Sequence, residues 1–290
     1  MNVGILHPGE MGASVGYAAG VAGNEVYWLD QGRSARTRAR AKQAKLKSCA
    51  SLSELGSCCE LLISICPPAA SISVAEDVAR SQFDGIFVEA NAISPQKSCE
   101  IAGFFKDTAI NYVDGGLIGP PAWDEGTTRL YLSGPQAIQV QQAMKGGPLE
   151  ARVIDDHIGS ASAMKQCFAA FTKGKTALIA EVLAAAEHYG VAESLSTEWG
   201  VETTQSRINN IQRIADRAWR WEGEMHEIAD TLEVAGLPDG IHRAAAEIYA
   251  RLAAFRNCEQ PPEWTVLRAK ILTKRGPDGV DLAPALDGKK

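Results

Sequence analysis

The first half of the chain alternates short apolar runs with helix-compatible stretches. Asn2 to Leu6 is an apolar run that stops at a Gly/Pro cluster, and Met11 to Ala22 is rich in small residues. Glu25 to Leu29 is a second strand candidate, followed by the charged helical stretch Ser34 to Lys47. Leu61 to Cys66 is continuously apolar and ends at Pro67-Pro68. Ile86 to Glu89 is another strand, Tyr112-Val113 leads into a glycine-rich segment, and Leu130 to Leu132 reads as a late strand. Strands that alternate with helices predict crossover units and a mostly parallel sheet. Continuous apolar runs are what strands covered on both faces require.

The second half changes character. From about Ser160 the pattern predicts no strand. Ala161, Met164, Phe168, Phe171, Leu178 and Val182 recur near helical spacing, which predicts one long helix. Ala/Glu/Arg-rich helical sequence continues to about Arg256, punctuated by Gly236-Leu237-Pro238 and Pro261-Pro262. The expected fold is therefore α/β, with an N-terminal parallel-sheet domain over residues 1–158 and a smaller all-helical domain over 159–273. Residues 274–290, rich in Gly, Pro, Asp and Lys, are expected to form a loose C-terminal tail.

Composition narrows the class. Hydrophobic residues are 46% of the chain, enough for a packed core. The formal charge of −6 argues against non-specific nucleic-acid binding, which needs clustered cations. No apolar run is long enough to span a bilayer, and no charged segment followed by an apolar one resembles a secretory leader. The seven cysteines are odd in number and their spacing forms no disulfide framework. These features predict a cytoplasmic protein with reduced thiols, no metal, no membrane and no nucleic-acid partner. A lone helical lobe leaves apolar faces to cover, which points to a homodimer.

The strongest chemical signal is Gly4-Ile5-Leu6-His7-Pro8-Gly9-Glu10-Met11-Gly12. A strand enters a tight turn and a helix leaves it. Gly9 lets the backbone approach a pyrophosphate, and Gly12 lets the helix pack close to the strand. N–H groups at the helix start would bind the phosphates. His7 stands where the first glycine of G-x-G-x-x-G belongs, so the literal motif is broken. Asp30, eighteen residues past Gly12, is placed to bind a ribose diol, which favours NAD. Arg33, Ser34 and Arg36 follow, and they can clasp a 2′-phosphate, which favours NADP. The sequence leaves the two cofactors open.

HPGEMG, ICPP, NAISP, DGGLIGPP and GSASAMKQCFAAFTKG together resemble the β-hydroxyacid dehydrogenase family, whose cofactor domain is of the Rossmann type and shared with 6-phosphogluconate dehydrogenase. Arg217 to Arg251 is similar to a subgroup with a short C-terminal helical domain of unknown function. The resemblance implies a Rossmann-type cofactor domain and a helical substrate and dimerisation domain. It implies that Lys165, on the long helix, donates and accepts the proton. A cationic lysine beside a substrate oxygen stabilises developing alkoxide, so the role is chemically sound. Cys66, Pro67 and Asn91 follow strand ends and correspond to residues that line the cofactor. Gly116, Leu117, Ile118 and Gly119 correspond to the substrate loop, and Thr172 and Lys173 lie one turn or more beyond the lysine. Two positions depart from the family. Ala169 replaces the asparagine four residues after the lysine, and Ile118 replaces a serine in the substrate loop. Ile118 and Trp123 either build a more apolar pocket or belong to the core. Arg217, Arg220, Trp221, Glu224 and His226 form a dense polar-aromatic cluster, in which Arg217, Trp221 and Glu224 share a helical face; it predicts either an intrahelical ion pair or an arginine that binds a substrate anion.

The resemblance implies an NAD(P)-dependent oxidoreductase that moves hydride between nicotinamide and a hydroxyl or carbonyl carbon of a small substrate. The alternatives are an imine reductase or reductive aminase on the same scaffold, and a non-catalytic dinucleotide-binding interaction protein.

Overall fold

Asn2–Ile5 (β1), Glu25–Leu29 (β2) and Lys47–Cys49 (β3) form one wing of an eight-stranded sheet in the computed structural model, which describes residues 1–273. Leu61–Ser64 (β4), Ile86–Glu89 (β5), Asn111–Ile118 (β6), Thr128–Ser133 (β7) and Leu149–Val153 (β8) form the other. The order is β3-β2-β1-β4-β5-β6-β7-β8, and every neighbouring pair is parallel except β6 with β7. The order reverses between β1 and β4, the place where open α/β sheets bind ligands at their strand carboxyl ends.

Glu10–Val21 (α1), Ala35–Gln43 (α2), Leu52–Cys58 (α3), Ser71–Ala79 (α4), Pro95–Gly103 (α5) and Ala137–Met144 (α6) accompany the sheet. The apolar runs divide residue by residue between its faces. Leu61, Ile63, Ile86 and Val88 belong to one buried cluster; Leu62 and Phe87, the residues between them, belong to another. Period-two alternation makes both faces of these strands buried, so every position must be apolar.

Ser160–His188 is one 29-residue helix (α7). Ala192–Trp199 (α8), Val201–Ile214 (α9), Trp219–Val234 (α10), Gly240–Leu252 (α11) and Trp264–Leu272 (α12) follow, with no strand among the described residues. The chain divides into a compact unit over Met1–Phe168 and a second from Ala169 onward, so the division falls within α7. The second unit has its own core, with Tyr249, Leu252, Met225 and Leu267 buried together. Gly174, inside α7, is explained there: an added Cβ would stand 3.1 Å from His242 Nε2. Among the described residues no helix is long and apolar enough to cross a membrane. The expected tail, 274–290, lies outside the described residues.

Two strands escape the sequence pattern. β3 has three residues, two of them exposed, and β8 alternates Glu150 and Arg152 with half-buried positions. Both are outermost in the sheet, where a strand needs less apolar character.

Candidate functional site

The loop after β1 has the shape that a pyrophosphate needs. Gly9 precedes the first turn of α1 without a side-chain cap, so the helix N–H groups there are met by no capping oxygen. A Cβ on Gly9 would meet nothing within 4 Å, whereas one on Gly12 would stand 2.1 Å from the His7 carbonyl oxygen. Gly9 thus leaves an open approach, and Gly12 is required for helix–strand contact. Pro8 is buried, Met11 half-buried, and Glu10 exposed. The residues present therefore fit a dinucleotide phosphate at this loop.

His7 replaces the usual glycine at a cost in solvation. Burial, and then the positive charge of Arg33, push its imidazole down to about 4. It is neutral at physiological pH, and its buried Nδ1 has no partner among the described residues. Arg33 reaches back over the ends of β1 and β2. Its Nη2 donates to the Leu6 carbonyl at 3.2 Å and its Nε to the Leu29 carbonyl at 3.4 Å. Asp30, at the end of β2, is engaged by Arg38 Nε at 2.6 Å. The Ser34 hydroxyl accepts from Thr37 N and caps α2.

At the ends of β4 and β5, Asn91 is a staple. It is 3% exposed. Its Oδ1 accepts from Cys66 N, and its Nδ2 donates to Ser64 Oγ at 3.2 Å and contacts Cys66 Sγ at 3.3 Å. The amide is thus committed to the ends of two strands, and it holds Cys66 in place. Cys66 is half-buried and Pro67 exposed, and burial raises the Cys66 thiol to about 11, so it stays protonated.

β6 carries the residues expected in the substrate loop. Gly116, Leu117 and Ile118 are strand residues, paired antiparallel with Tyr131, Leu130 and Arg129. Sequence reading placed them in a loop because paired glycines weaken the strand pattern. Leu117 and Ile118 are buried, so Ile118 belongs to the core; half-buried Trp123 stacks obliquely on Tyr17 with ring centres 5.2 Å apart. Gly119 has φ of +133°, a left-handed conformation that favours glycine.

β5 ends opposite Asp114, so Gly116 projects past the carboxyl end of its parallel neighbour. There α7 lies directly against it. A Cβ on Gly116 would stand 2.7 Å from the Ala161 carbonyl oxygen and 3.0 Å from Lys165 Cβ. The glycine admits the helix, and the helix brings half-buried Lys165 to the carboxyl edge of the sheet, the same edge that carries the Gly9–Gly12 loop.

Asp114 holds that helix in place, and the sequence reading missed it. Its carboxylate accepts from Ser98 Oγ at 2.8 Å, Ser133 Oγ at 3.1 Å, Gly159 N at 3.1 Å, Ser162 N at 2.9 Å and Ser162 Oγ at 2.6 Å. Two of the donors are N–H groups at the start of α7, so Asp114 acts as its N-terminal cap from a neighbouring strand. A charged residue inside the buried run NYVDGG was the available signal.

Thr172 and Lys173 belong to the second unit. Thr172 Oγ1 donates to the Ala169 carbonyl at 3.5 Å. Lys173 Nζ pairs with Glu224, both side chains being about 15% exposed, and lies 4.9 Å from the centre of the Trp221 ring. Its backbone carbonyl accepts from Tyr249 OH at 2.7 Å. Glu224 is therefore the partner of a lysine on another helix. Arg217 bonds Asp216 at 3.2 Å, so Arg217 is not the partner of Glu224.

Comparisons with known proteins agree with this fold. A family model described as a domain of unknown function, DUF1932, matches residues 186–252. An uncharacterized 28.5 kDa protein of Methanothermus fervidus is 27% identical over 172 residues. That match covers 59% of this chain and 65% of the relative, slightly less than two thirds of its length. Among solved structures, conserved protein MTH1747, of unknown function and structurally similar to 3-hydroxyacid dehydrogenases, is 26% identical with a TM-score of 0.66, covering 88% of this chain and 98% of its own. The 3-hydroxyisobutyrate dehydrogenase of Salmonella typhimurium is 17% identical with a TM-score of 0.70, covering 93% and 99%. A reductive aminase of Aspergillus terreus, solved with NADPH and ethyl levulinate, is 14% identical with a TM-score of 0.57, covering 92% and 97%. By fold, the chain is similar to the 3-hydroxyacid dehydrogenases and their relatives, and residues 186–252 match the domain of unknown function.

Proposed function

We propose that the protein is a nicotinamide-dependent oxidoreductase acting on a hydroxyl or carbonyl carbon of a small substrate, with Lys165 as general acid and base. The observation that carries the reading is the packing of α7 on Gly116, which puts Lys165 at the edge of the sheet where the Gly9–Gly12 loop opens. The relatives of similar fold include 3-hydroxyisobutyrate dehydrogenase and a reductive aminase solved with NADPH.

A bound nicotinamide would supply or accept the hydride. The chain's own residues would do the rest. The N–H groups at the start of α1 would hold the pyrophosphate. His7, Pro8, Glu10 and Met11 complete that loop; Cys66, Pro67 and Asn91 shape the crevice beside it. Lys165 would stabilise negative charge on the substrate oxygen and exchange the proton there. Past Asp114 the β5 side of β6 has no strand partner, so backbone N–H groups between Gly116 and Gly119 are the candidates for a substrate carboxylate. The exposed apolar side chains of the second unit, Phe171, Leu178, Val201 and Ile241 among them, are what a homodimer would cover.

Lys165→Met tests the assignment. Removing a general acid typically costs about 10²–10⁴ in rate. Turnover of a panel of 3-hydroxy acids and alcohols should fall by that factor, while NADH and NADPH binding, read by fluorescence, stays unchanged. Full turnover in the variant would reject the lysine's role. Turnover of cyclic imines but of no alcohol or ketone would move the reaction to imine reduction.

A further inference from the structure

Three of the seven cysteines are brought together by the fold, and the proposed function uses none of the three. Cys49 ends β3, Cys58 ends α3, and Cys59 follows it. They share one apolar cluster, with Cys49 and Cys59 buried in it and half-buried Cys58 packed against it. All three are free thiols. The Cys49 thiol is hydrogen-bonded to the Cys58 thiol. Cys59 turns its sulfur toward β1, where a Cβ on Gly4 would stand 3.2 Å from it.

The backbone on both sides of the pair is anchored. Cys49 pairs with Leu29 in the sheet, and its carbonyl accepts from Asp30 N at 3.0 Å. The Cys58 carbonyl accepts from Asn2 Nδ2 at 2.8 Å. Two thiols in contact on anchored backbones meet the first requirement of a bridge, which is proximity without backbone travel. Burial raises the Cys49 thiol to about 11 and the Cys59 thiol to about 12, so both rest protonated at neutral pH. Cys58 is the most open of the three to a small molecule.

We propose that Cys49 and Cys58 form a reversible oxidation site, at which a hydroperoxide converts the two thiols into a disulfide. The Cys58 sulfur attacks the terminal peroxide oxygen and loses its proton. The O–O bond breaks, the alcohol leaves with that proton (water, when the oxidant is hydrogen peroxide), and Cys58 becomes a sulfenic acid. Cys49 then gives up its proton and attacks the Cys58 sulfur. The S–O bond breaks, and hydroxide leaves with the Cys49 proton as water. Two thiols lose two electrons in all, and one hydroperoxide gains them. A dithiol reverses the bond by exchange. The bridge ties the end of α3 to the outermost strand β3, whose last carbonyl holds Asp30 N.

The test is a peptide map of the full chain, and it needs neither substrate nor cofactor. Reduced protein is treated with hydrogen peroxide, its remaining thiols are blocked with N-ethylmaleimide in denaturant, and it is digested with trypsin and a protease that cuts after glutamate. Cuts at Lys47, Glu54 and Glu60 separate Cys49 from Cys58 and Cys59. Mass spectrometry should find the two peptides joined through Cys49 and Cys58, lighter by two hydrogens than their reduced sum. Dithiothreitol should release them. The link should form at least about threefold faster at pH 9 than at pH 7, because the thiolate is the attacking form. Cys59→Ser should keep the link. Cys49→Ser should lose it and leave Cys58 as a sulfenic acid that dimedone traps. In the wild-type chain, Cys49 recovered unlinked while Cys58 is oxidised would overturn the proposal without any variant. A link from Cys49 to Cys59 would overturn it too, as would equally fast linkage in urea, where the fold no longer holds the thiols together.

Discussion

Glu89, at the end of β5, stands opposite Asp114, in the middle of β6; both are fully buried, and their surroundings are opposite. Asp114 accepts five hydrogen bonds from serines and backbone N–H groups. Glu89 accepts from Asn91 N at 2.9 Å, with the side chains of Asn91 and Ser64 beside it, and its Oε2 has no hydrogen-bond partner among the described residues. Burial raises the Glu89 carboxyl to about 8, with the nearby Asp114 charge adding to the effect. Two carboxyls at one depth thus have different tasks. One is a structural anion that fixes a helix. The other is a mostly neutral acid at pH 7, because too few donors offset the loss of water. Glu224, in the second unit, shows a third solution, in which a lysine supplies the charge.

Asp114→Ala should have the largest effect. It leaves several buried donors without an acceptor, and each costs about 1–3 kcal/mol. Urea unfolding should show a loss of at least about 4 kcal/mol. A loss below about 1 kcal/mol would mean that the helix start is held by something else. Lys173→Met comes next, because it strands Glu224 in a mostly buried place, at a cost of about 3 kcal/mol. The double variant with Glu224→Leu should recover much of that loss, since an apolar pair carries no uncompensated charge. Failure to recover would show that the ion pair is stabilising in its own right.

Glu89→Gln should be the mildest, and it depends on pH. Glu89 in the folded chain binds its proton more tightly than at its ordinary value of 4.5. The folded state therefore holds the extra proton between about 4.5 and 8, and stability falls as pH rises through that window. The glutamine variant lacks this fall. Compared with the wild type, it should gain relative stability between pH 5 and pH 8.5. A constant difference across that range would show that Glu89 titrates normally. His7 works in the other direction. Its folded value of about 4 lies below the ordinary 6.5, so its contribution to stability is lost as pH falls through that interval.

The difference between Asp114 and Glu89 also marks how far sequence reading reaches. The β1 loop and α1 were legible because the turn, the glycines and the helix start lie within nine residues. Gly12 had to be glycine for the reason the spacing implied. The long helix was legible from its apolar recurrence. β3 and β8 were not, since edge strands lack the apolar alternation that identifies inner ones. Lys173 was visible only as a lysine one turn past the motif. Its partner Glu224 is 51 residues away, and no local spacing connects them. Arg217 and Glu224 had helical spacing, yet Arg217 lies in a short turn before α10, and Glu224 pairs elsewhere.

The sequence by itself determined the two-faced apolar strands, the glycine loop between β1 and α1, and a lysine on a long helix. Those features follow from short-range periodicity and from backbone conformations that only certain residues allow. The tertiary structure decided where each charge is met. It turned β7 antiparallel to β6, brought Ser162 to Asp114 across 48 residues, set Arg38 against Asp30, and gave Lys173 to Glu224. Charges attract over distance and are worth most where water is excluded, so their partners are chosen by packing, which sequence neighbours do not reveal.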